Sequence, residues 1–181
     1  MKVLGISGTL VGSKTKLIVE ESLKVLKEKN VDVEFVDFKG IELDFCDGRP
    51  SEAYSADVQS LMKHVTTADA FVIGTTILHG SMPGVLKNFF ELMPIDSFNN
   101  KCVLFVGNGG NHLHYLAIEN YVKPVANYLN MYVYPQYAFI LSSEFDGQNQ
   151  LVPSKFEELT QLILGFEKFT KTLTKAKEEV V

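Results

Sequence analysis

Only two cysteines, Cys46 and Cys102, occur in 181 residues, and they lie far apart. No CxxC pair or mixed Cys/His spacing exists, so no metal centre is expected and nothing supports a disulfide. A reducing, cytoplasmic setting is the natural reading, with Cys102 a small core residue inside an apolar run. No apolar run approaches the length that spans a bilayer. Met1 leads straight into a strand and a polar turn, a pattern unlike a signal peptide. Positive charge is not in excess: the net charge is −5, which argues against nucleic acid and anionic membranes as partners. Linkers, repeats and low-complexity tracts are absent. What remains, 46% hydrophobic and 22% charged residues, describes one globular domain over residues 1–181.

Strand and helix patterns alternate along the chain. Apolar runs at Val3–Ile6, Val33–Phe38, Ala70–Gly74 and Cys102–Gly107 read as strands, and Tyr132–Leu141 as a fifth, with Pro135 placing its first half at an edge. Three- and four-residue spacing predicts helices over 15–29, 58–65 and 113–129, with Pro124 kinking the last or opening its second segment. Ser81 and Pro83 predict the start of another helix, with Ser81 as its N-cap, through Met93. The last helix is expected from Ser154, with Glu157 completing a capping box and Thr174–Val181 a frayed or solvated end. Five strands alternating with five helices imply an α/β three-layer sandwich. The order 2-1-3-4-5, the flavodoxin-like arrangement, suits a five-stranded parallel sheet.

In such a sheet ligands bind beyond the carboxyl ends of the strands, where the strand order reverses. The loops after Ile6, Gly74 and Val106 are therefore singled out. The chain has 22 carboxylates, yet residues 1–19, 70–90 and 97–118 contain none. A bound dianion accounts for that, because a nearby carboxylate would repel it.

The first of these loops, "GISGTLVGSKT" (Gly5–Thr15), is rich in glycine and hydroxyls. As a triphosphate loop it fails: three residues separate Gly8 from Gly12, Ser13 intervenes before Lys14, and no strand end supplies a magnesium-binding Asp. As a dinucleotide loop it fails because Gly5, Gly8 and Gly12 miss the GxGxxG offsets. As the seat of a single terminal phosphate it fits. Ser7, Thr9, Ser13 and Thr15 offer four hydroxyls within nine residues, Lys14 and Lys16 add positive charge, and a helix N-terminus follows. A turn that merely caps a helix would look similar from this loop alone.

The second loop, "TTILHGSMPGVLKNFFE" (Thr75–Glu91), carries a resemblance. It is similar to the TPEYNGSxPGxLKNxxD stretch of the NADPH-dependent FMN reductase family, keeping Thr75, Gly80, Ser81, Pro83, Gly84, Leu86, Lys87 and Asn88. The first loop resembles the family's SGSxRxxS turn, "GNGGNH" (Gly107–His112) its third, GG-containing loop, and "YVYPQYAF" its proline-bearing fifth strand; the similarity covers about residues 1–140. The resemblance implies a flavodoxin-like oxidoreductase that holds FMN noncovalently and takes hydride from NADPH or NADH at flavin N5. In ping-pong order it then reduces a small-molecule acceptor, a flavin, quinone or azo compound. It also implies a homodimer or homotetramer with the third and fourth helices in contact.

The implied cofactor residues are Ser7, Thr9, Ser13, Lys14 and Thr15 at the phosphate. Thr76, Ile77, Leu78, His79, Gly80 and Ser81 lie along one side of the ring, and Gly109, Gly110 and Asn111 offer backbone N–H groups to its pyrimidine end. His79 is read as a backbone contributor, with side-chain contact to flavin or substrate as the other reading. No catalytic side chain is implied, because the cofactor performs the chemistry. The family's first-loop arginine has no counterpart here, and Thr76-Ile77-Leu78-His79 replaces Pro-Glu-Tyr-Asn. A one-electron carrier and a cofactor-free binding module are the alternative readings.

Overall fold

The computed structural model describes residues 1–178. Its strands are β1 (Lys2–Ser7), β2 (Asp32–Asp37), β3 (Ala70–Thr76), β4 (Cys102–Gly109), β5 (Tyr132–Val133) and β6 (Ala138–Leu141). Its helices are α1 (Lys14–Glu28), α2 (Ala56–Thr67), α3 (Gly84–Leu92), α4 (Lys123–Tyr128) and α5 (Pro153–Glu178). All pairings are parallel, and the order is β2-β1-β3-β4-β5, with β6 also paired to β4. The expected 2-1-3-4-5 order holds, but the sheet has six strands. The predicted fifth strand is split: Tyr132 and Val133 pair with Cys102 and Val103, and Ala138–Leu141 with Val106–Gly109. Pro135 falls in the gap, where a residue without an N–H cannot donate to a ladder.

Alternation along the buried strands divides the core between two faces. Leu4, Ile6, Phe71, Ile73, Val103 and Phe105 join the cluster under α2, α3 and α4. Val3, Ala70, Val72, Leu104 and Val106 join the cluster under α1 and α5. The period of two in a strand sends neighbours to opposite faces, so strands covered on both faces read as continuous apolar runs. In α1 the buried stripe is Ile18, Val19, Leu23 and Leu26, and full burial of such a side chain contributes about 1.5–3 kcal/mol. Gly74 sets how closely α1 approaches. A Cβ there would lie 2.4 Å from Val19 Cγ2 and 2.9 Å from Thr15 Cγ2. The missing side chain lets the first turn of α1 rest directly on the ends of β1 and β3.

Other predicted boundaries shift for local reasons. Ser81 does not cap α3: Pro83 is the N-cap and Gly84 the first residue, because Ser81 instead closes a turn with Leu78. Residues 112–128 form a 3₁₀ turn (His112–Tyr115), wider π turns (Ile118–Val122) and then α4. Pro124 lies in the first turn of α4, where its missing N–H costs nothing, so it opens the second segment. Helix α5 continues through Glu178, so Thr174–Glu178 is helical rather than frayed, with Thr174–Ala176 solvated as the other half of the expectation had it; residues 179–181 of that expected tail lie outside the described residues. No helix among the described residues is long and apolar enough to cross a membrane.

Candidate functional site

The three loops named from the sequence meet at one edge of the sheet. After β1, Gly8 N donates to Gly74 O at 2.8 Å, joining the first loop to β3. After β3, Ile77 N donates to Asn108 O at 3.1 Å and Thr76 Oγ1 to the same carbonyl at 3.3 Å, joining the second loop to β4. Asn108 is buried, and its Nδ2 donates to Ile140 O at 2.8 Å. One amide side chain thus ties β4 to β6. Sequence reasoning missed Asn108; its only signal was an amide between two strand-end glycines.

In the first loop the hydroxyls divide by role. Thr9 is buried, and its Oγ1 accepts from Val11 N at 3.1 Å, fixing the turn. Ser13 is the N-cap of α1 but makes no side-chain capping bond. Thr15 is 2% exposed and its Oγ1 has no partner. An unpaired buried hydroxyl costs about 1–3 kcal/mol and marks a place where an outside group completes the bonding. The amides of Lys14, Thr15 and Lys16 have no intrahelical acceptor, as in any first helical turn. Together with the helix dipole they suit a phosphate.

The lysines are not arranged as expected. Lys14 Nζ donates to Ser142 O at 2.6 Å and sits 5.0 Å from the centre of the Phe145 ring. The structure therefore turns this ammonium toward the loop after β6. Lys16 pairs with Asp37 at 3.5 Å, so the carboxylate at the end of β2 faces a cation. Lys39, which the sequence did not single out, donates through Nζ to Gly12 O.

The second loop makes a tight turn. Leu78 N donates to Ser81 O at 3.0 Å and Ser81 N to Leu78 O at 3.1 Å. His79 and Gly80 both have positive φ, 50° and 81°, the signature of a type I′ turn. The His79 side chain is exposed. In the third loop Gly109 is a buried strand residue against Phe139, while Gly110 has open space around it. Asn111 Oδ1 accepts from Leu113 N at 2.9 Å, so its side chain caps the turn His112–Tyr115. Tyr137 Oη donates to Tyr115 O at 3.3 Å, and burial pushes the Tyr137 hydroxyl pKa upward.

The carboxylates of Asp44 and Asp47, in the loop after β2, both pair with Arg49. Asp47 is held at about 2 by hydrogen bonds from Arg49. Asn88 is buried in α3 and braces that same loop: its Oδ1 accepts from Cys46 N at 2.9 Å and its Nδ2 donates to Asp44 O at 2.8 Å. Its neighbour Lys87 forms a surface pair with Glu91. Among the described residues no cluster of His, Cys, Asp or Glu can hold a metal.

The helix start at residues 13–16, with its unpartnered Thr15 hydroxyl, thus lies at the same sheet edge as the loops after β3 and β4. A family model described as NADPH-dependent FMN reductase matches residues 1–146. An NAD(P)H-dependent FAD/FMN reductase of Geobacillus thermodenitrificans is 42% identical over 165 residues, 90% of this chain and 89% of that one. An FMN-dependent NADPH-azoreductase of Staphylococcus saprophyticus is 34% identical over 115 residues, 61% of each chain. In fold, the chain matches an NAD(P)H:(acceptor) oxidoreductase of Paracoccus denitrificans with a TM-score of 0.78 at 16% identity, covering 94% of this chain and 97% of that one. The chain belongs to the NADPH-dependent FMN reductase family, flavodoxin-like enzymes that work with FMN and NAD(P)H.

Proposed function

We propose that this member of the family binds FMN with its phosphate on Ser13, Thr15 and the first-turn amides of α1, and reduces a small diffusible acceptor in ping-pong order. FMN held there would supply the redox chemistry between NAD(P)H and a flavin, quinone or azo acceptor. The chain's own part is to bind, orient and neutralise. Thr15 Oγ1 and the amides of residues 14–16 donate to the phosphate. The turn Leu78–Ser81 and the amides of Gly110 and Asn111 flank the ring, and the latter stabilise negative charge at its pyrimidine end. The observation that carries the reading is Thr15, a fully buried hydroxyl without a partner at a helix start beside the strand-order reversal.

The whole chain acts as one FMN-binding domain in a cytoplasmic setting; Cys46 and Cys102 form no disulfide. We assign a homodimer contact to the α3–α4 face. Ile95, Tyr121 and Tyr128 are exposed there, and Leu113, Tyr115 and Leu116 continue the patch to the third loop, an apolar surface of the kind that marks an interaction site. Sedimentation as a monomer throughout the micromolar range would refute that contact.

The direct test of function is the visible spectrum after FMN is added and the excess removed. Stoichiometric flavin bands, bleached by NADPH or NADH without air and restored by a quinone, are the expected result. Protein that retains no flavin, or flavin that neither nucleotide bleaches, overturns the reading.

A further inference from the structure

We propose that Asn149 is a positioning residue for the phosphate site, acting through the Ser13 hydroxyl; the inference rests on the FMN reading above. Ser13 and Asn149 are 136 positions apart, yet Asn149 Nδ2 donates to Ser13 Oγ at 3.2 Å. A serine at an N-cap ordinarily turns its oxygen back to accept from an amide of the first helical turn. Ser13 makes no such bond. Held by Asn149, its oxygen leaves those amides to an anion. A hydroxyl that accepts one hydrogen bond still carries its own hydrogen, and donation to a charged oxygen is the stronger kind of bond. The amide therefore sets the rotamer in which Ser13 adds a donor to the phosphate cradle instead of consuming one.

The turn that presents Asn149 is built for this. Phe145 and Leu151 form an antiparallel bridge at its base. Asp146 Oδ1 accepts from Gln148 N at 2.9 Å and from Gln150 N at 2.8 Å. Asn149 N donates to Asp146 O at 3.0 Å. Asn149 itself has φ 64°, a conformation that asparagine and glycine tolerate best. The neighbour of Ser13 supplies a second latch to the same segment: Lys14 Nζ binds Ser142 O and covers the Phe145 ring. Two consecutive residues of the phosphate loop are thus fastened to one distant turn.

The test compares FMN with riboflavin, the same ring without the phosphate, by titration of flavin fluorescence. Asn149→Gly keeps the left-handed backbone and removes only the amide. The unsubstituted chain is expected to bind FMN more tightly than riboflavin. In the glycine variant the FMN dissociation constant should rise about three- to tenfold, the range of one ordinary hydrogen bond, with riboflavin unchanged. Asn149→Asp, which also tolerates this φ, replaces the donor with a carboxylate and should weaken FMN at least as much. Adding Asn149→Gly to Ser13→Ala should cost nothing further. Unchanged FMN affinity in both Asn149 variants, equal weakening of FMN and riboflavin, or additive effects in the double variant would overturn the positioning role while leaving the FMN reading intact. Wild-type protein that does not prefer FMN to riboflavin overturns both.

Discussion

The loops to which we assign the phosphate end and the ring end of the site lie on the same sheet edge and are built in opposite ways. The phosphate loop is fastened from three sides: by Gly74 O to Gly8 N, by Lys39 at Gly12 O, and by Asn149 and Lys14 across to the turn after β6. Its donors are fixed before any ligand arrives. The ring end carries a two-residue turn and a run of exposed apolar side chains, with Leu113 78% exposed and Leu116 45%. A dianion is recognised by direction, so its donors are pre-set at little cost on binding. A flavin ring is recognised by flat apolar contact, which exposed apolar side chains of this kind can offer. Affinity should therefore be dominated by the phosphate end and substrate range by the ring end.

The largest test of that difference removes the close approach of α1. Gly74→Val places branched atoms where a Cβ alone already lies 2.4 Å from Val19 Cγ2. Overpacking of this kind costs about 1–3 kcal/mol, and here the strain moves the phosphate-binding turn itself. We expect a lower midpoint in chemical denaturation together with loss of measurable FMN binding. Wild-type affinity in a protein so destabilised would separate α1 from the site.

Thr15→Val divides binding from folding more finely. It keeps the shape of the side chain and removes the unpartnered hydroxyl. Without ligand, stability should hold or rise, because a buried polar group without a bond is lost. FMN affinity should fall at least tenfold, since hydrogen bonds to charged groups contribute about 1.5–3 kcal/mol. Thermal melts with and without FMN give both numbers. A parallel fall in the two would mean that Thr15 serves the fold and not the ligand.

How much of this was legible in the sequence follows the same division. Strand order and the meeting of the three strand-end loops were readable because each depends on local pattern: period-two apolar runs and a glycine-and-hydroxyl turn between strand and helix. Pro135 announced the broken edge, although not that two separate strands would result. The start of α3 was misplaced by two residues, since Ser81 looked like a cap and the hydrogen bonds of the Leu78 turn claimed it first. The long-range fasteners were illegible. Lys14 meets Ser142 and Asn149 meets Ser13 through the docking of α5 and the loop before it, and nothing in the spacing of those residues encodes it. A lysine beside a phosphate loop suggests a phosphate ligand; only the structure shows its ammonium committed to a carbonyl.

On the ring side, Gly80→Val is the stronger perturbation. Gly80 has φ 81°, and the left-handed region costs a residue with a Cβ about 1–2 kcal/mol, more for a β-branched one. The Leu78–Ser81 hydrogen bonds should loosen. The effect should appear mainly as weaker riboflavin and FMN binding in equal proportion, the reverse of the pattern expected at the phosphate end. Loss confined to FMN would show that the turn reports on the phosphate and would dissolve the contrast between the two ends.

The smallest expected effect is the most specific to this chain. His79 stands where the family motif has asparagine, and it holds a positive φ of 50° while its side chain is exposed. If the turn contributes only backbone, His79→Gly relieves the conformational cost at that position, gains chain entropy in the unfolded state, and leaves FMN affinity within about twofold, well under the tenfold that one charged hydrogen bond contributes. Acceptor turnover should be equally insensitive across quinones and azo compounds. Should one acceptor class lose turnover while FMN binding holds, the imidazole is a substrate contact, and the departure from the family's second loop becomes a determinant of which acceptor the enzyme takes.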